Sequence, residues 1–80
     1  MQIIFLQKKR QKRLRHALSL IIREYPQAVL SVDTFRADIA RMCVEEYGVA
    51  IINDISAGNM DAQMFSTIAR LGVPYILMHM

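Results

Sequence analysis

The sequence predicts an α/β fold in which about three parallel strands alternate with three helices. Stretches with helical periodicity alternate with short apolar runs along the chain. These runs are apolar at consecutive positions, which is typical of parallel strands covered on both faces. One helix-to-strand junction also recurs, as YGV at 47–49 and as LGV at 71–73. The elements therefore follow the order helix then strand, three times over.

The first helix and the first strand are predicted on either side of Pro26. The apolar residues before it recur with helical spacing and share one face: Leu14, Leu18, Ile21, Ile22 and Tyr25. Pro26 ends this helix because proline lacks the backbone N–H that a further turn requires. The segment AVLSV at 28–32 is short and contains β-branched residues, so it predicts a strand that stops at Asp33.

The second unit repeats this order. A helix is predicted over about 35–47, where Ile39, Met42 and Cys43 recur at helical spacing. Gly48 is its predicted left-handed stop, because glycine adopts that conformation without steric cost. The apolar segment VAII at 49–52 is the next predicted strand.

The third unit begins after a turn that contains glycine. Asp61 is predicted to cap a helix with a recurring apolar face, made of Met64, Phe65, Ile68 and Leu71. Gly72 is predicted to end this helix in the same way as the glycine of the second unit. The last predicted strand is VPYILM at 73–78, where the proline stands near the start and harms the pairing least.

Composition and charge limit the class of protein. The chain has 80 residues, of which 54% are apolar, and this fits one small domain rather than a disordered segment. Residues 1–23 hold seven basic side chains and no acidic one, whereas residues 24–80 hold three basic and seven acidic side chains. The longest apolar runs are too short to span a membrane. A lone cysteine, Cys43, excludes an internal disulfide and indicates a reducing compartment, so we expect a cytoplasmic protein.

Polar residues stand at the point where the predicted strands end. Asp33 follows the first strand, Asn53 follows the second, and LMHM at 77–80 closes the third. In parallel α/β folds, ligands gather at this carboxyl edge of the sheet. Asp and Asn are also favoured as caps of turns and helices. The residues alone therefore leave a capping role and a ligand-binding role equally open.

Three stretches resemble the dihydropteroate synthase family of the folate pathway. They are SVDTFRADIA at 31–40, YGVAIINDISAG at 47–58 and LGVPYILMHM at 71–80, and they occur in the family's order and at its spacing. The resemblance implies that the chain is part of a pterin-binding (β/α)8 TIM barrel. The complete enzymes of this family join a dihydropterin methyl diphosphate to p-aminobenzoate and release diphosphate.

The same resemblance implies a set of site residues. Asp33 and Asn53 match family residues that hydrogen-bond the pterin ring, and Ile55 and Met78 match residues that line the same pocket. The family also uses Mg²⁺, but no residue here matches its metal-binding asparagine. The catalytic set is incomplete as well, so we expect no synthase activity from this chain alone.

The resemblance divides the chain into two parts. Residues 12–80 are the predicted partial pterin-binding barrel domain, and the basic segment 1–11 does not match the family. Three parallel strands taken from a closed barrel leave open edges and an uncovered inner face. We therefore expect the chain to self-associate through its open sheet edges.

Several alternatives remain open. A pterin-binding methyltetrahydrofolate methyltransferase domain would place Asp and Asn at strand ends in a similar way. A non-catalytic truncated product with a nucleic-acid-binding basic end is a further alternative, although no aromatic residue interleaves the basic cluster at 8–15. The segment MHM at 78–80 could ligate copper(I), but packing on an apolar strand is the favoured interpretation. Cys43 is expected to be a structural thiol, and His16 to be exposed.

Overall fold

A computed structural model of the chain describes residues 2–7, 10–54 and 61–77. It contains four strands and three helices in the order β1 Ile3–Leu6, α1 Gln11–Glu24, β2 Val29–Asp33, α2 Ala37–Tyr47, β3 Ile51–Asp54, α3 Met64–Leu71 and β4 Tyr75–Leu77. The predicted α/β class and the predicted helix–strand order are confirmed. The predicted number of about three strands is corrected to four.

The additional strand is β1, which lies in the segment that the sequence sets apart as basic. β1 pairs in parallel with β2, and the register places Ile3 opposite Val29 and Leu6 opposite Val32. Leu6 is buried whereas Phe5 is 52% exposed, so the strand has one face on the core and one face open. Apolar burial on one side explains why this short segment joins the sheet. A domain boundary after residue 11 stays a prediction.

The described strands form one parallel sheet in the order β1-β2-β3-β4. All three helices pack on the same face of this sheet, since their buried residues form one cluster with strand residues such as Leu30, Val32 and Ile52. The opposite face carries Phe5 and Ile76, which are about half exposed. In a complete (β/α)8 barrel the helices lie outside, so this open face corresponds to the barrel interior.

The predicted apolar face of α1 is only partly correct. Leu14 and Leu18 are fully buried, but Ile22 is 36% exposed and Tyr25 is 49% exposed. Tyr25 is the C-cap residue of α1 rather than part of its packed stripe. The helix therefore uses a narrower contact stripe than its apolar pattern predicts.

Glycine residues end α2 and α3 at their C-termini as predicted. Gly48 and Gly72 both adopt the left-handed conformation, with φ of 68° and 69°. Each C-cap N–H returns to the helix: Gly48 donates to the Val44 carbonyl and Gly72 to the Ile68 carbonyl. None of the helices within the described residues combines the length and the apolar composition needed to cross a membrane.

One ion pair connects α1 to α2. The guanidinium of Arg15 donates to both carboxylate oxygens of Glu46, over 2.5 Å and 3.1 Å. This contact lowers the pKa of Glu46 below its ordinary value. Such a bidentate pair fixes the orientation of the Arg15 guanidinium against Glu46. At least one member of the basic cluster therefore serves helix packing.

Candidate functional site

Asp33 and Asn53 lie opposite each other at the carboxyl ends of adjacent strands. The register between β2 and β3 pairs these two residues directly. Partners in a parallel ladder point to the same face, and neighbouring strands lie about 4.8 Å apart. The Thr34 N–H donates to the Asn53 carbonyl over 2.8 Å, which continues the ladder past the end of β2. The structure brings the two predicted site positions together, while their role in ligand binding stays a prediction.

The side chain of Asn53 is held in place by Ser31. Asn53 Nδ2 donates to Ser31 Oγ over 2.8 Å, and the two residues are only 8% and 4% exposed. Ser31 lies two residues before Asp33 on the same strand, so it belongs to the same face of the sheet. The bond uses one of the two amide hydrogens. The other hydrogen and the carboxamide oxygen of Asn53 take no part in this bond.

Sequence reasoning did not assign a role to Ser31. The signal was available, because a serine inside an otherwise apolar strand needs a hydrogen-bond partner when it is buried. Strand alternation then points to the same face as Asp33. What the sequence does not supply is the register that brings β3 beside it.

Asp54 faces away from this site although it follows Asn53 directly. It is fully buried on the helix-covered side of the sheet. The hydroxyl of Tyr75 on β4 donates to Asp54 Oδ2 over 2.5 Å. Burial, followed by this bond, raises the pKa of Tyr75 above its ordinary value. The adjacent amide and carboxyl group therefore have separate surroundings, one on each face.

Asp61 connects the loops at the start of α2 and α3. Its Oδ2 accepts the Ala37 N–H and its Oδ1 accepts the Gln63 N–H, both over 2.9 Å. These two bonds, that from Ala37 first, hold the pKa of Asp61 below its ordinary value. The prediction that Asp61 is the cap residue of α3 is therefore corrected. Gln63 is the N-cap residue of α3, and Asp61 bonds to its N–H while also serving α2.

The remaining predicted site residues lie outside the described part of the chain. Ile55 and Met78 are among them, as are the other two residues of the segment at 78–80. Their roles stay predictions. Cys43 is fully buried, and burial raises its pKa to about 12, so the thiol packs in the core while its structural role stays a prediction. His16 is exposed on α1 as expected.

No metal centre is assembled by the residues that the structure describes. Within 2–7, 10–54 and 61–77, no three His, Cys, Asp or Glu side chains are grouped so that they could hold an ion. A magnesium ion prefers several oxygen ligands in octahedral geometry. The described residues therefore do not fit the Mg²⁺ that the family resemblance implies.

The sequence model of the family described as "Pterin binding enzyme" matches residues 6–80. The chain belongs to this family. Membership accounts for the sheet order and for helices on one face only, because both are features of part of a TIM barrel.

Curated relatives show the same relationship. The chain is 44% identical over 64 residues to the folic acid synthesis protein fol1 of Pneumocystis carinii, covering 80% of this chain and 8% of that protein. It is 49% identical over 59 residues to the mitochondrial folate synthesis bifunctional protein of Pisum sativum, covering 74% and 11%. It is 44% identical over 50 residues to the dihydropteroate synthase of Staphylococcus epidermidis, covering 62% and 18%. The chain thus spans less than a fifth of the length of these three relatives.

Proposed function

We propose that this chain supplies part of the pterin pocket of a dihydropteroate synthase. Asp33 and Asn53 would bind the edge of the pterin ring, and Ile55 and Met78 would line the pocket. The observation that supports this most is the in-register pairing of Asp33 with Asn53 on the open face of the sheet. Among the described residues no helix packs on that face, which also carries the half-exposed side chains of Phe5 and Ile76.

The chemistry of these two side chains suits a pterin. The edge of the ring alternates N–H donors with acceptors, and a carboxylate accepts while a carboxamide both donates and accepts. Ser31 fixes the amide of Asn53 and so sets which of its groups faces the ligand. When diphosphate leaves the substrate, positive charge develops on the pterin. An ionised Asp33 nearby would stabilise that charge.

In folate biosynthesis, the complete enzyme would join the methylene carbon of a dihydropterin methyl diphosphate to the amine nitrogen of p-aminobenzoate. The bond from that carbon to diphosphate would break, diphosphate would leave, and the amine would give up one proton. The relatives named dihydropteroate synthase favour this reaction over that of a pterin-binding methyltransferase. We expect the chain alone to bind a pterin without completing the reaction. Mg²⁺ and p-aminobenzoate would bind to the complete enzyme. A cytoplasmic location rests on the single cysteine.

The open sheet supports self-association of the isolated chain. In the described sheet β1 and β4 are the outer strands, with β1 paired only to β2 and β4 only to β3. Outer strands present unpaired backbone groups, and the open face adds exposed apolar area at Phe5 and Ile76. A second copy of the chain would cover both.

The binding proposal is tested by titrating the 80-residue chain with 6-hydroxymethylpterin and following the ligand's fluorescence. Asp33→Asn removes one charged acceptor, so affinity should fall about ten- to a hundredfold, the equivalent of about 1.5–3 kcal/mol for a hydrogen bond to a charged group. Asp38→Asn is the matched control, because Asp38 is an exposed residue of α2 that pairs with Arg36, the N-cap residue of the same helix. Equal affinity of the two variants would overturn the proposal.

A further inference from the structure

Asp54 and Tyr75 form a polar contact on the face of the sheet that the helices cover. Asp54 is fully buried, and its Oδ2 accepts the Tyr75 hydroxyl over 2.5 Å. Its other oxygen, Oδ1, is buried and has no hydrogen-bond partner among the residues that the structure describes. A buried acceptor without a partner is destabilising. Packing alone would be served better by an apolar pair, so this contact calls for a further explanation.

The position of the pair in the sheet provides one. β3 and β4 are joined in a register that sets Tyr75 opposite Ile52, Asn53 opposite Ile76 and Asp54 opposite Leu77. The Tyr75 side chain therefore runs diagonally from β4 to the last residue of β3. It connects the two strands at the carboxyl edge, where Asn53 lies on the other face.

The tyrosine ring is itself held in place. The ring of Phe65 on α3 meets it edge to face, with centroids 5.8 Å apart and planes at 84°. α3 thus orients the hydroxyl that reaches Asp54. Within the described residues, β4 meets β3 at three positions. A slip by one residue would turn every side chain of the strand to the other face.

We propose that Asp54 and Tyr75 are positioning residues for Asn53. The directional bond between them fixes the end of β3 against β4, while Ser31 holds the Asn53 amide from β2. Asn53 is thereby fixed from both neighbouring strands. The consequence for ligand affinity rests on the proposed pterin-binding function, but the consequence for the placement of Asn53 does not.

The placement is tested by NMR on the ligand-free 80-residue chain, through the side-chain amide resonances of Asn53. Tyr75→Phe deletes the hydroxyl and keeps the ring, so these resonances should shift. Tyr25→Phe, at a 49% exposed tyrosine outside the sheet, is the matched control and should leave them in place. Asp54→Asn retains an acceptor oxygen for the Tyr75 hydroxyl, so it should leave the Asn53 resonances close to their wild-type positions. Asn53 resonances that coincide in Tyr75→Phe and the wild type would overturn the proposal.

Two further measurements cover the other outcomes. If Tyr75→Phe unfolds, the double variant Asp54→Leu, Tyr75→Phe removes both polar partners, and it should fold with displaced Asn53 resonances. Wild-type positions in that variant would also refute the placement. Titration with 6-hydroxymethylpterin should show about tenfold weaker binding to Tyr75→Phe, the effect of about 1.4 kcal/mol. A wild-type chain that does not bind the pterin would refute the proposed function but leave the placement standing. Unchanged affinity despite shifted resonances would refute the role in binding.

Discussion

Replacing Ser31 by alanine tests the buried hydrogen bond that orients the candidate site. The substitution removes the oxygen that accepts from Asn53 Nδ2 over 2.8 Å. It leaves the strand backbone and the rest of the side-chain volume nearly unchanged. Any large effect must therefore come from the amide that loses its acceptor.

The expected magnitude follows from burial. Ser31 is 4% exposed and Asn53 is 8% exposed, so water has little access to the amide donor after the change. A buried group left without a partner costs about 1–3 kcal/mol of unfolding free energy. A domain of this length has a total stability of roughly 4–12 kcal/mol, at 0.05–0.15 kcal/mol per residue. The loss is therefore a sizeable fraction of the total.

Urea unfolding, followed by far-UV circular dichroism, measures this loss. With a slope of about 1 kcal/mol per molar urea for a small protein, the midpoint should fall by about 1–3 M. The protein must be dilute enough that the midpoint no longer depends on its concentration, because self-association would stabilise the folded form. Ser66→Ala is the matched control, since Ser66 is an exposed serine whose hydroxyl donates to the nearby Gln63 carbonyl.

A second variant separates the lost partner from other causes. Ser31→Ala with Asn53→Leu removes donor and acceptor together and should recover most of the stability. The reasoning is refuted if Ser31→Ala and Ser66→Ala shift the midpoint equally. It is also refuted if the double variant is less stable than Ser31→Ala by the full effect of a second independent substitution.

Four further outcomes are expected. Leu18→Ala should lower the unfolding free energy by about 2–5 kcal/mol, whereas Leu20→Ala on the same helix, at a residue 41% exposed, should cost less than about 1 kcal/mol; equal urea midpoints would contradict the packing of α1. Gly48→Ala should lower the unfolding free energy by about 1–2 kcal/mol, because an alanine is strained at a φ of +68°. No neighbouring atom lies within 4 Å of the added carbon, so a steric clash does not add to this loss. An unchanged urea midpoint would contradict the left-handed stop. The pKa of Asp61 is lowered in the fold, so its stabilisation is present above its ordinary value of 3.8 and is lost as the pH falls through the folded value; urea midpoints between pH 6 and pH 2 should therefore fall more steeply for the wild type than for Asp61→Asn. Phe5→Glu should reduce self-association in sedimentation velocity, because that ring is 52% exposed on the open face; an unchanged distribution would place the contact elsewhere.

Local signals made much of this fold predictable. A helix-ending glycine depends on its own backbone, and both Gly48 and Gly72 adopt the predicted conformation. The positions of Asp33 and Asn53 at strand ends follow from where the apolar runs stop. The sequence predicted that both residues lie at the same edge of the sheet, but not that they pair directly, since register depends on contacts between distant segments.

The features that were missed depend on the assembled structure. β1 is only four residues long and lies outside the three helix-then-strand units, so the repeating order does not reveal it. The Tyr75 hydroxyl reaches Asp54 across 21 residues of sequence, and no local pattern predicts such a pair. Exposure of Ile22 depends on how far α1 lies against its neighbours, which periodicity alone does not determine.

The two hydrogen bonds that Asp61 accepts have a consequence for dividing this protein into pieces. Ala37 begins a helix of one βα unit, yet the carboxylate that receives its N–H stands 24 residues later, ahead of the next helix. A chain cut after β3 would retain all of α2 but lose the acceptor at its first turn. Permuted or split versions of this fold should therefore be opened elsewhere than between consecutive units, even though each unit looks self-contained in sequence.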